Sequence, residues 1–95
     1  MFARVGTYDV PEGNGENVRE AFREALAGIG ALPGFEEALL LHACDDKRAI
    51  TITFWDDRDS LSGSRVAATR LRSEAARAVD GDVVGVDEFE VVPLA

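Results

Sequence analysis

The residue types that are scarce set the first limits on this chain of 95 residues. It contains one cysteine, Cys44, so no disulfide can form within the chain, which is typical of a reducing compartment. It contains one histidine, His42, and its carboxylates fall in turns, so we expect no metal site. No apolar run approaches the roughly 20 residues that a membrane-spanning helix needs.

Positive charge is also scarce. Ten basic residues face 18 acidic ones, and the net charge is −8. Such a surface repels phosphate backbones and anionic lipid, so we expect neither nucleic acid nor a membrane as a partner. The opening segment MFARVGTYDV lacks the basic and apolar regions of a secretory signal. Together with the lone cysteine, this predicts a cytoplasmic protein.

The hydrophobic pattern predicts one domain, residues 1–95, with the element order βαββαβ. Strands are expected at residues 2–10, 35–44, 49–55 and 82–92, and helices at residues 14–29 and about 57–79. Ser62-Gly63-Ser64 is a weak point in the second helix. This order is the ferredoxin-like α+β arrangement, a four-stranded antiparallel sheet with two helices on one face.

The hairpin of strands two and three has two faces of different composition. A DDKR loop would pair Cys44 with Ala49 and His42 with Thr51. The uniformly apolar face, predicted to lie under the helices, carries Leu39, Leu41, Ala43, Ile50, Ile52 and Phe54. The mixed face carries Ala38, Leu40, His42, Cys44, Thr51, Thr53 and Trp55. No helix remains to cover the mixed face, so a second copy of the chain, or a different partner protein, is expected there around a small-molecule pocket.

Four short motifs of this region resemble the antibiotic biosynthesis monooxygenase-like family of the dimeric α/β-barrel superfamily. They are Pro33-Gly34-Phe35, Asp45-Asp46, Phe54-Trp55 and Asp56-Asp57. The opening TYDVPEGNGENVREAF also resembles the family's join between strand one and its helix. The resemblance implies a homodimer that needs no cofactor and binds a small hydrophobic or aromatic ligand. It makes the protein a candidate cofactor-independent monooxygenase for an aromatic polyketide-type molecule.

Candidate site residues come from the mixed face and from strand one. His42 is the candidate catalytic acid or base, although a sheet histidine bonded to a neighbour or to solvent near the hairpin also explains it. Arg4 could hold a substrate anion and Tyr8 could donate a hydrogen bond, if their side of strand one faces the barrel. Ala3 and Val5 would then face the helices. The remaining candidates for substrate binding are Leu40, Thr51, Thr53 and Trp55, and Trp55 could stack on an aromatic ring or simply pack.

Two alternatives to oxygenation follow from the same resemblance. Haem-degrading relatives carry a histidine and a tryptophan on the second helix and an asparagine on strand one, all absent here. A non-catalytic barrel that binds a small ligand, or a stress-responsive accessory protein, would have the same fold. The interior distinguishes these possibilities: an open cavity of several hundred Å³ favours chemistry, and a filled one favours an accessory role.

Overall fold

The computed structural model describes residues 1–95 and confirms the ferredoxin-like architecture. The elements are β1 (Phe2–Asp9), α1 (Gly15–Ile29), β2 (Phe35–His42), β3 (Arg48–Trp55), α2 (Arg58–Gly63), α3 (Arg65–Ala78) and β4 (Asp82–Glu90). The sheet has the order β2-β3-β1-β4, and all neighbouring strands are antiparallel. None of the helices has the length and apolar character required to cross a bilayer.

The second predicted helix is two helices, so the fold has three rather than two. The break falls at Ser64, inside the segment that the sequence marks as weak, and Ser64 both ends α2 and begins α3. The carboxylate of Asp57 caps α2 by accepting the Ser60 N–H at 2.7 Å. The corner places the Ser64 hydroxyl, which is buried, over the sheet.

The register of the predicted hairpin was wrong by two residues. His42 pairs with Ala49, and Leu40 pairs with Thr51. The Ala43 N–H bonds to the Arg48 carbonyl, which moves the four-residue loop from 45–48 to 44–47, and Asp46 turns the chain with a φ of 64°. A shift of two residues preserves the alternation of side chains, so the composition of each face stays as predicted.

The prediction of which face the helices cover was also wrong. The mixed face lies under the helices: Trp55 is fully buried with Ile29 and Leu61, and Tyr8 with Phe22. The aliphatic face is open, with Leu39 and Leu41 exposed by 42% and 49%. Consequently Arg4 and Tyr8 face the helices, and Ala3 and Val5 belong to the open side.

Polar groups of the mixed face can be buried because they bond to one another. The Tyr8 hydroxyl lies 2.9 Å from Thr51 Oγ1, and the Trp55 Nε1–H donates to Thr53 Oγ1 at 3.0 Å. Pairing removes most of the penalty for taking these groups out of water. The two large aromatic bodies then bury more apolar area under the helices than an aliphatic residue of the other face would.

The turn before β2 supplies a stability test. Gly34 has a φ of 80°, and a Cβ there would overlap Ser60 and Asp56 at the start of α2. We expect Gly34→Ala to lower the free energy of unfolding by about 1–3 kcal/mol. The matched change Gly63→Ala meets open space at the end of α2 and should raise it by about 0.5–1 kcal/mol. Urea denaturation measures both, and equal effects of the two substitutions would contradict this account of the turn.

Candidate functional site

A small cavity lies between the sheet and the helices, and we call it the interior chamber. Its volume is about 10 Å³, room for roughly one water molecule. The sheet contributes four polar side chains, Arg4, Tyr8, Thr51 and Thr53. The helices contribute Phe22, Ala25, Leu26, Ile29, Ala68 and Arg72. The chamber therefore combines a roof that is apolar except for Arg72 with a floor of hydrogen-bonding groups.

Tyr8 is the central polar group of the chamber floor. Its ring packs against Phe22 with ring centroids 4.6 Å apart, and its hydroxyl shares a hydrogen bond with Thr51. Gly6 makes this position possible, because a Cβ at residue 6 would overlap the Tyr8 hydroxyl. Burial raises the pKa of Tyr8, so the phenol stays protonated and can donate a hydrogen bond.

Arg72 on α3 is a site residue that the sequence analysis missed. It is 8% exposed, its Nη2 donates to Thr69 Oγ1 at 3.1 Å, and its buried Nε has no hydrogen-bond partner. Burial lowers the pKa of Arg72, and the positive charge of Arg4 also lowers it. The sequence could have indicated that Arg72 is buried, since its spacing places it in the same stripe of α3 as Ala68, Ala75 and Ala76. An arginine at such a position is costly unless something pairs with it.

Arg4 is buried as well, but its guanidinium is occupied by the protein itself. It donates to Ser64 Oγ at 3.0 Å, to the Leu61 carbonyl at 2.7 Å, and to Glu88 Oε2 at 2.9 Å. Glu88 also binds Arg65 at 2.6 Å, and hydrogen bonds from Arg65 and Arg4 hold the pKa of Glu88 below its ordinary value. Arg4 thus ties β1 to the α2–α3 corner and to β4.

Trp55 and Leu40 lie near the chamber but do not line it. Trp55 belongs to the core beside Phe35, whose ring meets it edge-on at 5.7 Å, and Arg4 lies 5.8 Å above its ring. Leu40 packs against the core cluster that contains Tyr8. Of the predicted substrate-binding residues, the structure brings together Arg4, Tyr8, Thr51 and Thr53 at the chamber.

His42 lies in a different place, an open polar cleft of about 670 Å³ between the hairpin loop and the start of α1. Its Nε2 is 2.8 Å from Asp46 Oδ1, although the pair lacks the geometry of a hydrogen bond. Asp46 in turn accepts the Gly13 N–H at 2.6 Å. His42 is separated from Tyr8 by Ala49 on the same face of the sheet, about 10 Å away at ordinary strand spacing.

Known proteins share this architecture. The chain aligns with SnoaB, a cofactor-independent oxygenase from Streptomyces nogalater, at a TM-score of 0.77 and 20% identity, over 97% of this chain and 93% of that one. It aligns with a MhuD variant that holds two manganese protoporphyrin IX molecules per active site, at a TM-score of 0.72 and 22% identity, over 100% and 98% of the chains. An antibiotic biosynthesis monooxygenase aligns at a TM-score of 0.69 and 20% identity, over 98% and 100%.

At these identities the three structures show the fold alone. No curated protein sequence matches the chain. The sequence model of one family does match: antibiotic biosynthesis monooxygenase, over residues 1–79 of the 95. This match spans β1 to the end of α3 and includes the polar floor of the chamber together with Arg72. The chain therefore belongs to the antibiotic biosynthesis monooxygenase family.

Proposed function

We propose that the protein is a homodimeric, cofactor-independent monooxygenase of the cytoplasm that oxidises an aromatic, polyketide-type small molecule in the interior chamber. The family and the similarity to SnoaB support this function. The observation that carries it is Arg72, a buried guanidinium whose Nε is unpaired beside the protonated hydroxyl of Tyr8.

A buried cation with an unpaired donor lowers stability and does nothing for the core. Functional sites are where proteins keep such groups, because a ligand supplies the missing partner. The oxygen of an ionised phenol or enolate provides what Arg72 and Tyr8 lack, a negative acceptor for two donors. The chamber is therefore suited to hold the anion of an acidic aromatic ring.

Cofactor-independent oxygenation requires mainly that the protein stabilise the substrate anion. An activated CH₂ group loses a proton, and the resulting carbanion gives one electron to dioxygen. The substrate radical and superoxide combine to a peroxide, which loses water and leaves a carbonyl, so that CH₂ and O₂ become C=O and H₂O. The side chains of the chamber stabilise the anion from which the electron leaves and keep bulk water away.

The proton has to leave the chamber, since Arg4, Arg72, Tyr8, Thr51 and Thr53 include no base at neutral pH. His42 is the candidate acceptor. It lies outside the chamber on the same face of the sheet, so the proposal needs a water relay of about 10 Å past Ala49. Its neighbour Asp46 is placed to stabilise the imidazolium that forms.

The volume of the chamber supports the alternative, a non-catalytic barrel that binds a small ligand or acts as an accessory protein. A space of about 10 Å³ cannot hold an aromatic ring. Catalysis therefore requires the helices to move away from the sheet. The break between α2 and α3 at Ser64 provides a corner at which α3 could move.

A porphyrin does not fit the chamber. The polar side chains of the chamber are guanidinium, phenol and hydroxyl groups. The chamber contains neither the imidazole nor the thiolate that usually ligates haem iron. The only histidine lies in the other cleft against Asp46. Haem chemistry of the kind suggested by the MhuD complex is therefore not part of the proposal.

A second copy of the chain is the proposed cover for the open face of the sheet. Leu39, Leu41 and Phe89 are exposed by 42%, 49% and 52%, and Ile52 and Phe54 lie between them half-buried. A monomer rarely leaves so continuous an apolar surface in water. The helices of each copy would then lie on the outside, with one chamber beneath them in each subunit.

Oxygen uptake tests the enzyme. We expect uptake with at least one member of a panel of anthrones and dihydroquinones. Arg72→Met should lower kcat/KM about 10²–10³-fold, because it removes one donor to the developing anion, and Tyr8→Phe about tenfold. The control Arg77→Met removes an equal charge from an exposed position of α3 and should leave uptake unchanged. His42→Ala should slow oxygen uptake. An unchanged rate would mean that solvent, and not His42, accepts the proton.

No uptake by the folded wild-type protein with any member of the panel would contradict the oxygenase and favour the non-catalytic barrel. Circular dichroism checks that each variant folds, so that lost uptake reflects chemistry. Uptake that persists in Arg72→Met would remove the guanidinium from the mechanism.

Sedimentation velocity tests the dimer. Leu41→Lys places a charge in the middle of the open face and should shift the protein to monomer, because an unpaired charge there would be buried on association. Val66→Lys introduces the same residue at an exposed position on α3 and should leave the dimer intact. A dimer that tolerates Leu41→Lys would place the interface elsewhere.

A further inference from the structure

A third cavity lies on the other side of the two buried arginines. It is a cleft between α3 and β4 of about 360 Å³, open to solvent, and we call it the α3–β4 cleft. Its lining residues are Arg4, Arg65, Thr69, Arg72, Val86, Asp87 and Glu88. Arg4 and Arg72 line both this cleft and the interior chamber, so the two guanidinium-bearing side chains lie between them.

The charges in the cleft are unevenly paired. Glu88 is the only carboxylate bonded to the arginines there, and it is shared between Arg4 at 2.9 Å and Arg65 at 2.6 Å. Arg72 has no carboxylate partner, and its one hydrogen bond goes to Thr69 at the exposed surface of α3. In a chain of net charge −8, three arginines beside two acidic residues, Asp87 and Glu88, make a local excess of positive charge.

We propose that the α3–β4 cleft binds a carboxylate carried by the aromatic substrate. Arg72 and Arg65 donate to the carboxylate oxygens, and Thr69 offers a hydroxyl beside Arg72. Planar guanidinium groups match a carboxylate in geometry, and hydrogen bonds between such charged groups are about twice as strong as neutral ones. The ring of the same molecule then extends past Arg72 toward the chamber.

Glu88 acts as an internal competitor for the substrate carboxylate. Glu88 accepts the hydrogen bonds of Arg65 that the ligand needs, and the Glu88 side chain is partly exposed. Entry of an anion releases Arg65 from Glu88, while Arg4 keeps its bonds to Ser64 and Leu61. The cleft thus discriminates against neutral molecules, because only an anion can replace the Glu88 carboxylate as the partner of Arg65.

This inference rests on the proposed function for the aromatic substrate, but its test does not need turnover. Calorimetric titration under argon compares 1-hydroxy-2-naphthoic acid with the neutral 1-hydroxy-2-naphthamide. We expect the acid to bind the wild-type protein about tenfold more tightly, the size of one charge-assisted hydrogen bond. Arg72→Met and Arg65→Met should each abolish this preference, and Glu88→Gln should increase it.

Arg77→Met is the matched control, because it removes the same charge from an exposed position of α3 away from the cleft. It should leave the preference for the acid intact. Arg65 is more than half exposed, so Arg65→Met tests the cleft even if Arg72→Met fails to fold. Equal binding of acid and amide by the wild-type protein would overturn the inference. So would a preference that survives in Arg65→Met, or one that Arg77→Met abolishes equally.

The two proposals fail in different ways. Oxidation of an anthrone by a protein that binds acid and amide equally would leave the oxygenase and remove the carboxylate site. A clear preference for the acid without oxygen uptake would leave the cleft as a ligand site and remove the oxygenase.

Discussion

The guanidinium of Arg4 holds together the parts of the fold on which the candidate site depends. From the middle of β1 it bonds to the Leu61 carbonyl, the Ser64 hydroxyl and the Glu88 carboxylate. These contacts fix the α2–α3 corner over the sheet and attach β4 to it. Because the guanidinium is buried, loss of the Glu88 carboxylate would leave its charge without a counter-ion, which proteins tolerate poorly. The position of α3, and with it that of Arg72, follows from this tie.

The distribution of polar groups explains why the sheet is covered on the side that looks less apolar. Thr51 and Thr53 have partners on the same face, Tyr8 and Trp55, so burying them costs little. The aliphatic side chains of the opposite face have no polar groups and can be covered by any apolar surface. In this arrangement Arg4, Tyr8, Thr51 and Thr53 lie between the sheet and the helices of the same chain. The mixed face, which we expected to line a pocket shared with a second copy of the chain, is instead covered by the chain's own helices.

Arg4 and Arg72 illustrate how far a residue type can be interpreted without its surroundings. Both are buried arginines that line the same two cavities. The alternation of side chains along β1 made Arg4 a candidate for binding a substrate anion, yet its guanidinium bonds to Ser64, Leu61 and Glu88 of the protein itself. Arg72 was missed although its position in the buried stripe of α3 was visible in the sequence, and it retains a free donor. The availability of a side chain for a ligand depends on hydrogen bonds to residues distant in sequence, such as Glu88.

Local patterns in the sequence determined the element order, the ferredoxin-like fold, the family and the composition of each face of the hairpin. These properties depend on periodicity and on turn residues, which act over a few neighbouring positions. Tertiary structure decided the two-residue shift of the hairpin register, the split of the second helix at Ser64, and the face that the helices cover. It also decided that His42 and Tyr8 lie in different cavities. Each of these depends on which polar groups find partners across the fold, and no local pattern records that pairing.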